Sequence, residues 1–305
     1  MAAAQRCSRG IALALVTLWA LSSARAVTEP PPEPAKLGLY EWMAVAPIVV
    51  AASVVSDDAK YIQAVTQTPV KGGVKPSEVV LVDLRTANRD RELGTRSLDL
   101  ERGRAYLLLL KPSSRGKNEA HPVFDLVRGT RGAKPLPPEG AEATIAAAVQ
   151  LADLQERKDD ELLWAKLADF IEDTNPVLVD AALDLFVKFH RESAEMIPVV
   201  EPLLDHPSTE FRRRAVLLIG RILARPSGEA IPERAMIVAE LTGRARRDGD
   251  VAVRREATVA LAALGDGGVD ETLRTISRDD PDQNVRFEAE KALFERSERA
   301  GARSD

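Results

Sequence analysis

Cysteine and histidine are almost absent from this chain of 305 residues. The one cysteine is Cys7, and the three histidines, His121, His190 and His206, are scattered along the sequence. Because protein zinc sites are built mainly from cysteine and histidine side chains, we expect no metal site, and no pattern suggests a cofactor. Beyond Cys7 the chain also lacks the residues for a disulfide bond or for thiol chemistry.

The motifs of common catalytic sites are missing as well. The sequence has no Gly-x-Ser-x-Gly nucleophile motif, no phosphate-binding Gly-x-x-x-x-Gly-Lys loop and no dinucleotide-binding glycine pattern. A Ser-x-x-Lys match at Ser114–Lys117 lies between candidate strands, and no Lys-Thr-Gly follows it, so we interpret it as chance. We therefore predict a non-enzymatic protein.

Aromatic residues are rare, at 4% of the chain, whereas charged residues make up 29%. This composition is typical of helical arrays with wide solvated faces. With 42 basic and 47 acidic residues, the formal net charge is −5. A negative net charge does not favour nucleic acid as a partner, because its phosphates attract basic surfaces.

Residues 1–26 have the pattern of a secretory signal peptide. Arg6 and Arg9 precede an apolar run from Ile11 to Leu21, and Ala24-Arg25-Ala26 matches the small-x-small cleavage site. This run is shorter than the roughly 20 residues that cross a bilayer, so an uncleaved anchor is the less favoured alternative. After cleavage we expect no transmembrane segment.

Removing residues 1–26 lowers the basic count from 42 to 39 and leaves all 47 acidic residues, so the net charge becomes −8. None of the four asparagines has Ser or Thr two positions later, which is the pattern of an N-glycosylation acceptor. We therefore predict bacterial export, to the periplasm or the extracellular space.

Residues 37–130, which follow a Pro-rich spacer at residues 27–36, have the pattern of a small all-β domain. Five short apolar segments are separated by turn residues, as expected for strands. These segments are Ile48–Val55, Lys60–Gln67, Glu78–Arg85, Tyr106–Lys111 and Pro122–Val127. Five such strands favour a small barrel or sandwich. Residues 131–142 contain several glycines and prolines, and we interpret them as a linker.

Two short motifs in this domain resemble a known family. Val70-Lys71-Gly72 follows the second strand, and Gly103-x-Ala105-Tyr106 leads into four leucines. They are similar to motifs in the OB-like barrel of tissue-inhibitor and netrin-type modules, although the cysteines usual in that family are missing here. The resemblance implies an OB-like fold, and it provides an alternative function, in which the β-domain inhibits a hydrolase.

The second half of the chain contains an internal repeat. Asp250–Ala257 and Asp282–Ala289 both read Asp-x-x-Val-Arg-x-Glu-Ala, and looser copies begin at Thr174 and Ser208. The apolar fourth position falls at residues 177, 211, 253 and 285, with spacings of 34, 42 and 32 residues. Self-similarity at such spacings is typical of a repeat array.

Each position of this repeat has a physical role. The first residue (Asp, Ser or Thr) caps the N-terminus of a helix, and the Val and Ala begin a buried stripe. The Arg can reach a carboxylate on the adjacent repeat while its stem covers apolar surface. The repeat residues are Asp250, Val253, Arg254 and Ala257 in one copy, and Asp282, Val285, Arg286 and Ala289 in the other.

This pattern resembles the HEAT-repeat family, specifically the short bacterial kind whose helices open Asp-x-x-Val-Arg-x-x-Ala. The resemblance covers residues 141–299 and implies an α-solenoid over residues 143–299, followed by a polar tail at residues 300–305. Such arrays mostly bind other proteins, which implies a scaffold with an unknown protein partner, and the predicted signal peptide makes it an exported one. Some short arrays resemble chromophore lyase subunits, so an accessory subunit of an enzyme is a further alternative.

Helical periodicity supports nine helices in this half of the chain. They are predicted at Ala143–Gln155, Glu161–Glu172, Pro176–His190, Met196–Asp205, Thr209–Ala224, Ile231–Arg247, Val251–Leu264, Val269–Ser277 and Gln283–Arg299. The predicted fold is therefore multidomain, with a small β-domain followed by an α-α superhelix.

Clusters of arginine in consecutive repeats provide the candidate binding residues. Arg212 and Arg213 belong to one copy of the repeat, and Arg254 and Arg255 to the next. Together they would bind a partner with an acidic patch. The alternative interpretation is a solvated face, in which Arg212 and Arg254 pair with carboxylates between repeats.

Overall fold

The computed structural model describes residues 38–57, 61–83, 100–115, 119–127, 129–157, 159–225, 231, 233–265 and 267–301. The predicted signal peptide and spacer lie outside the described residues, as does most of the predicted tail. The described residues belong to one compact unit. None of the helices found in them is both long and apolar enough to cross a lipid bilayer.

The first part of this unit is a mixed sheet of six strands preceded by a short helix. Helix α1 spans Leu39–Ala44. The strands are β1 (Ile48–Asp57), β2 (Tyr61–Lys71), β3 (Val79–Asp83), β4 (Ala105–Pro112), β5 (Val123–Leu126) and β6 (Ala133–Pro135). Each of the five predicted strand segments overlaps one of β1 to β5. Two features differ from the prediction: α1 makes the region not purely β, and β6 lies within the predicted linker.

The pairing of the first five strands is cyclic. Strand β1 pairs with β2, β2 with β3, β5 with β4 and β4 with β1, all antiparallel, whereas β3 and β5 are parallel. In β1, for example, Ala51 lies opposite Thr68 on one side and Leu107 on the other. Strand β6 pairs with Tyr106–Leu108 of β4.

Strand β4 faces two hydrophobic cores. Successive side chains of a strand point to opposite faces, and here Leu107 and Leu109 lie in a core shared with the helices. Tyr106, Leu108 and Leu110 lie in a second core, which consists mostly of strand residues. The same alternation occurs in β1. The sheet and the helices are therefore joined by apolar packing, which the sequence did not predict.

The second part of the unit is helical. The helices are α2 (Ala141–Arg157), α3 (Asp160–Ile171), α4 (Pro176–Phe189), α5 (Ile197–Val200), α6 (Thr209–Ala224), α7 (Arg234–Arg247), α8 (Val251–Ala263), α9 (Asp270–Asp279) and α10 (Gln283–Gly301). The predicted helix Met196–Asp205 is wrong as one α-helix, because α5 is flanked by 3-10 turns. Pro198 and Pro202 lack the backbone N–H that a continuous α-helix needs.

The predicted helix caps are found in the two strong copies of the repeat. Asp250 accepts a hydrogen bond from the Ala252 backbone N–H at 2.8 Å, and Asp282 accepts one from Asn284 at 2.8 Å. The weaker copies differ. Asn175, rather than Thr174, caps α4 through a bond from the Val177 N–H, and the Ser208 side chain makes no capping bond.

The motif helices α4, α6, α8 and α10 stack side by side and form one row, while α7 and α9 pack behind α8 and α10 as part of a second row. Small residues allow close stacking in the first row. A Cβ atom added to Gly220 of α6 would lie 2.5 Å from the Cβ of Ala260 in α8. This arrangement is a helical repeat scaffold.

Candidate protein-binding surface of the helical repeats

Arg212 connects the first turn of α6 to the loop before α8. Its Nε donates a hydrogen bond to Oδ2 of Asp248 and its Nη2 donates to Oδ1, both at 3.0 Å. Its Nη1 donates to the backbone carbonyl oxygens of His206 and Pro207. Only 16% of the Arg212 side chain and 3% of the Asp248 side chain are exposed, so the pair is shielded from water.

Arg254 makes the equivalent contact one repeat later. Its Nε lies 2.9 Å from Oδ2 of Asp280, its Nη2 lies 3.3 Å from Oδ1, and its Nη1 donates to the Asp248 carbonyl oxygen. Each aspartate also accepts a hydrogen bond from the backbone N–H two residues later, at Asp250 and Asp282. Each carboxylate thus links an arginine of one repeat to the helix start of the next.

The electrostatics keep both partners of the first pair charged. Burial by itself raises the pKa of the Asp248 carboxyl, but hydrogen bonds from Arg212 and from the Asp250 N–H, with the charges of Arg212 and Arg244, outweigh burial and lower it. The hydrogen bond from Arg212 to Asp248 in turn raises the pKa of Arg212. The pair is therefore ionic at neutral pH and serves to hold two repeats in register.

Arg213 and Arg255 form a second series of contacts between neighbouring motif helices. Arg213 lies 3.2 Å from Glu256 in α8 and 2.8 Å from Glu210 on its own helix. Arg255 lies 2.7 Å from Glu288 in α10. The Arg255 side chain is 56% exposed, the most of the four candidate arginines.

All four predicted binding residues therefore have carboxylate partners within the chain. For Arg212 and Arg254 this geometry matches the alternative interpretation, in which they pair between repeats. Their use by a partner protein stays a prediction, and Arg255 is the member most accessible to one.

Sequence reasoning missed Asp248 and Asp280, the buried partners of Arg212 and Arg254. A signal for them does exist. Each lies two positions before a capping aspartate, as Asp248-Gly249-Asp250 and Asp280-Pro281-Asp282. An Asp-x-Asp pattern at the start of a motif helix therefore marks both the inter-repeat acceptor and the cap.

Comparison with protein families independently supports the HEAT-repeat resemblance. Residues 197–293 match a family model of HEAT repeats. The match confirms the resemblance for this third of the chain, which contains both Arg–Asp pairs, and it leaves residues 141–196 as a prediction. Repeats of this family are helical scaffolds that often bind proteins and are typically not catalytic. No curated protein matches the chain.

Proposed function

We propose that this protein is an exported, non-enzymatic scaffold that binds a protein partner through its helical repeats. The observation that carries the proposal is the repeated two-point contact from Arg212 to Asp248 and from Arg254 to Asp280. These contacts fix the register of α6, α8 and α10. A surface fixed in advance loses little conformational entropy on binding, which favours recognition by repeat arrays.

The candidate partner surface includes Arg255. Its side chain is the most exposed of the four predicted binding residues. It lines a depression together with Val251, Val259 and the carboxylates of Glu256, Asp282 and Glu288. Both valines are exposed. A partner with an acidic residue beside an apolar one fits this combination.

Export is part of the same proposal. The n-region, apolar run and Ala24-Arg25-Ala26 site of the sequence support cleavage after Ala26. The test is mass spectrometry of the N-terminal peptide of protein purified from its native host. We expect a chain that begins at Val27. A chain that keeps residues 1–26 would contradict export by this route.

The cyclic pairing of β1 to β5 supports the interpretation of the sheet as an OB-like barrel. Five strands whose pairing returns to the first are the arrangement of a small closed barrel. This observation favours a second candidate function, in which the sheet inhibits a hydrolase or holds the scaffold to it. The two candidates differ in the part of the chain that contacts the partner.

The experiment that separates them is chemical cross-linking of the full chain in its native exported fraction, followed by reconstitution with the purified partner. We expect a complex of defined stoichiometry whose cross-links fall within residues 197–293. Cross-links confined to residues 48–135 would move the function to the sheet. Failure of the purified proteins to associate would contradict both candidates.

A matched pair of variants tests the surface around Arg255. Arg255→Glu reverses a charge that is 56% exposed, and Arg157→Glu reverses one that is 54% exposed on α2. We expect the first variant to weaken binding by about tenfold, as for one lost interfacial ion pair, and the second to bind normally. Equal effects would exclude this surface.

A further inference from the structure

Helix α7 has an apolar face that none of the helices in the described ranges covers. Its buried residues Ile237, Leu241 and Ala245 are directed into the core shared with the neighbouring helices. The uncovered face lines a groove of about 660 Å³, which Gly268 and Val269 bound on the side of α9. The α7 residues in the groove are Arg234, Ala235, Val238, Ala239, Thr242, Gly243, Arg246 and Arg247.

The floor of the groove is apolar and built from short side chains. Ala235 and Ala239 are exposed, and Val238, Thr242 and Gly243 are partly exposed. Such an apolar strip on a surface helix, bounded by charged residues, has the composition of a helix-binding groove. Because the side chains are short, the axis of an added helix can approach α7 closely.

One end of the groove carries two exposed positive charges. Arg246 and Arg247 are both exposed, and within the described ranges neither has a hydrogen bond or an ion pair. Arg244 on the same helix differs, since it pairs with Asp205 and with Glu240. Two exposed guanidinium groups side by side stand out in a chain whose net charge is −5, and their natural complement is a carboxylate.

The Arg247 guanidinium is close to the groove floor. A Cβ atom added to Gly243 would lie only 3.2 Å from Nη2 of Arg247, so the side chain folds back over the glycine. Arg246 lies on the side of α9, near Asp279. The hydrogen bond from Arg278 lowers the pKa of Asp279, and the charges of Arg278 and Arg246 add to this effect. The two cations therefore flank the apolar floor at one end.

We propose that this groove binds an amphipathic helix of the partner protein, with an apolar stripe against α7 and carboxylates beside Arg246 and Arg247. Arg234 and Arg246 are 12 residues apart, which is about 18 Å along a helix. A segment of about three turns therefore fills the groove. The inference rests on the proposed scaffold function, and it names the surface and the chemistry of the partner.

The test uses the full chain and two synthetic peptides of about 15 residues. Both carry Leu at every third or fourth position, and one has Glu where the other has Lys at one end. Fluorescence anisotropy measures their affinities. We expect the Glu peptide to bind at least about tenfold more tightly than the Lys peptide, because opposite charges then meet at the groove end. Equal affinities would overturn the proposal.

Variants at the charged end and on the floor of the groove test where the peptides bind. Arg246→Glu with Arg247→Glu should reverse the preference between the two peptides, and Ala239→Trp, which fills the exposed floor, should abolish binding of both. The matched controls are Lys291→Glu with Arg299→Glu, on α10, and Ala146→Trp, at an exposed position of α2. The controls should bind as the unchanged chain does, and all variants should keep its helical circular dichroism.

The outcome also separates this inference from the scaffold function. If a reconstituted partner binds both groove variants as tightly as it binds the unchanged chain, the groove proposal is overturned and the scaffold function stands. If the Glu peptide binds in the groove as described and no partner associates, the preference of the groove for an acidic amphipathic helix stands and the scaffold function fails.

Discussion

Arg254 and Asp280 meet in a two-point contact between α8 and the loop before α10, at 2.9 and 3.3 Å. The contact belongs to a continuous hydrogen-bonded ladder. Arg212 binds Asp248, the Asp248 carbonyl accepts a bond from Arg254, and the Asp280 carbonyl accepts one from Arg286 at 2.7 Å. The ladder runs across three motif helices and sets their spacing.

We expect Arg254→Ala to lower the free energy of unfolding by about 3 kcal/mol, because it leaves the buried carboxylate of Asp280 without its partner. The Arg254 and Asp280 side chains are only 11% and 3% exposed. Urea unfolding followed by circular dichroism measures the loss. The control is Arg255→Ala, the next residue, where an exposed ion pair should contribute less than about 1 kcal/mol. Equal losses would show that the buried ladder has no special role.

The stability of the ladder should depend on pH. The pKa of Asp248 is lowered in the folded chain, so its stabilising contribution is present above the unfolded pKa of about 3.9. It is lost as the pH falls through the folded pKa. We therefore expect Asp248→Asn to be less stable than the unchanged chain at pH 7, with a difference that shrinks below about pH 4. Urea unfolding at pH 7 and pH 3 measures it, and a constant difference would contradict the assignment.

The local parts of the ladder could be predicted from the sequence, and its long-range parts could not. Asp250, Val253 and Arg254 have roles set by positions within one helix turn, so the repeated letters were enough. The acceptor Asp280 lies 26 residues from Arg254. Its identification requires the packing of α8 against the next repeat, which spacing alone does not give.

The same division holds for the rest of the fold. Apolar runs predicted β1 to β5, because a buried strand needs a local run of apolar residues. The pairing of β1 with both β2 and β4 depends on contacts between distant segments, and β6 has only three residues. The groove beside α7 likewise depends on the distance between α7 and α9. The sequence of either helix alone does not indicate this distance.

Two helical glycines should respond in opposite ways to substitution by alanine. A Cβ atom at Gly220 would collide with Ala260 of the neighbouring helix, whereas one at Gly243 would meet only the flexible end of Arg247. We expect Gly220→Ala to cost about 1 to 3 kcal/mol by overpacking. Gly243→Ala should be neutral or stabilise by up to about 1 kcal/mol, from helix propensity.

Thermal and urea unfolding measure both changes. Ala260→Gly should restore the stability of Gly220→Ala by removing the methyl group that it meets, apart from about 1 kcal/mol for the new glycine in the helix. A chain with Gly220→Ala that is as stable as the unchanged one would mean that α6 and α8 are farther apart than described.

The last prediction concerns the packing of the sheet against the helices. Leu109 lies in the core shared with the helices, and its neighbour Leu108 lies in the core formed mostly by strands. Both are buried, so each substitution by alanine should cost about 2 to 5 kcal/mol. The two variants should differ in where the structure responds. Leu109→Ala should shift the amide resonances of the helices in two-dimensional NMR spectra, whereas the shifts caused by Leu108→Ala should stay within the strands. If Leu109→Ala leaves the helix resonances unchanged, the sheet and the helices do not share a core, and the β-region would behave as a separate domain.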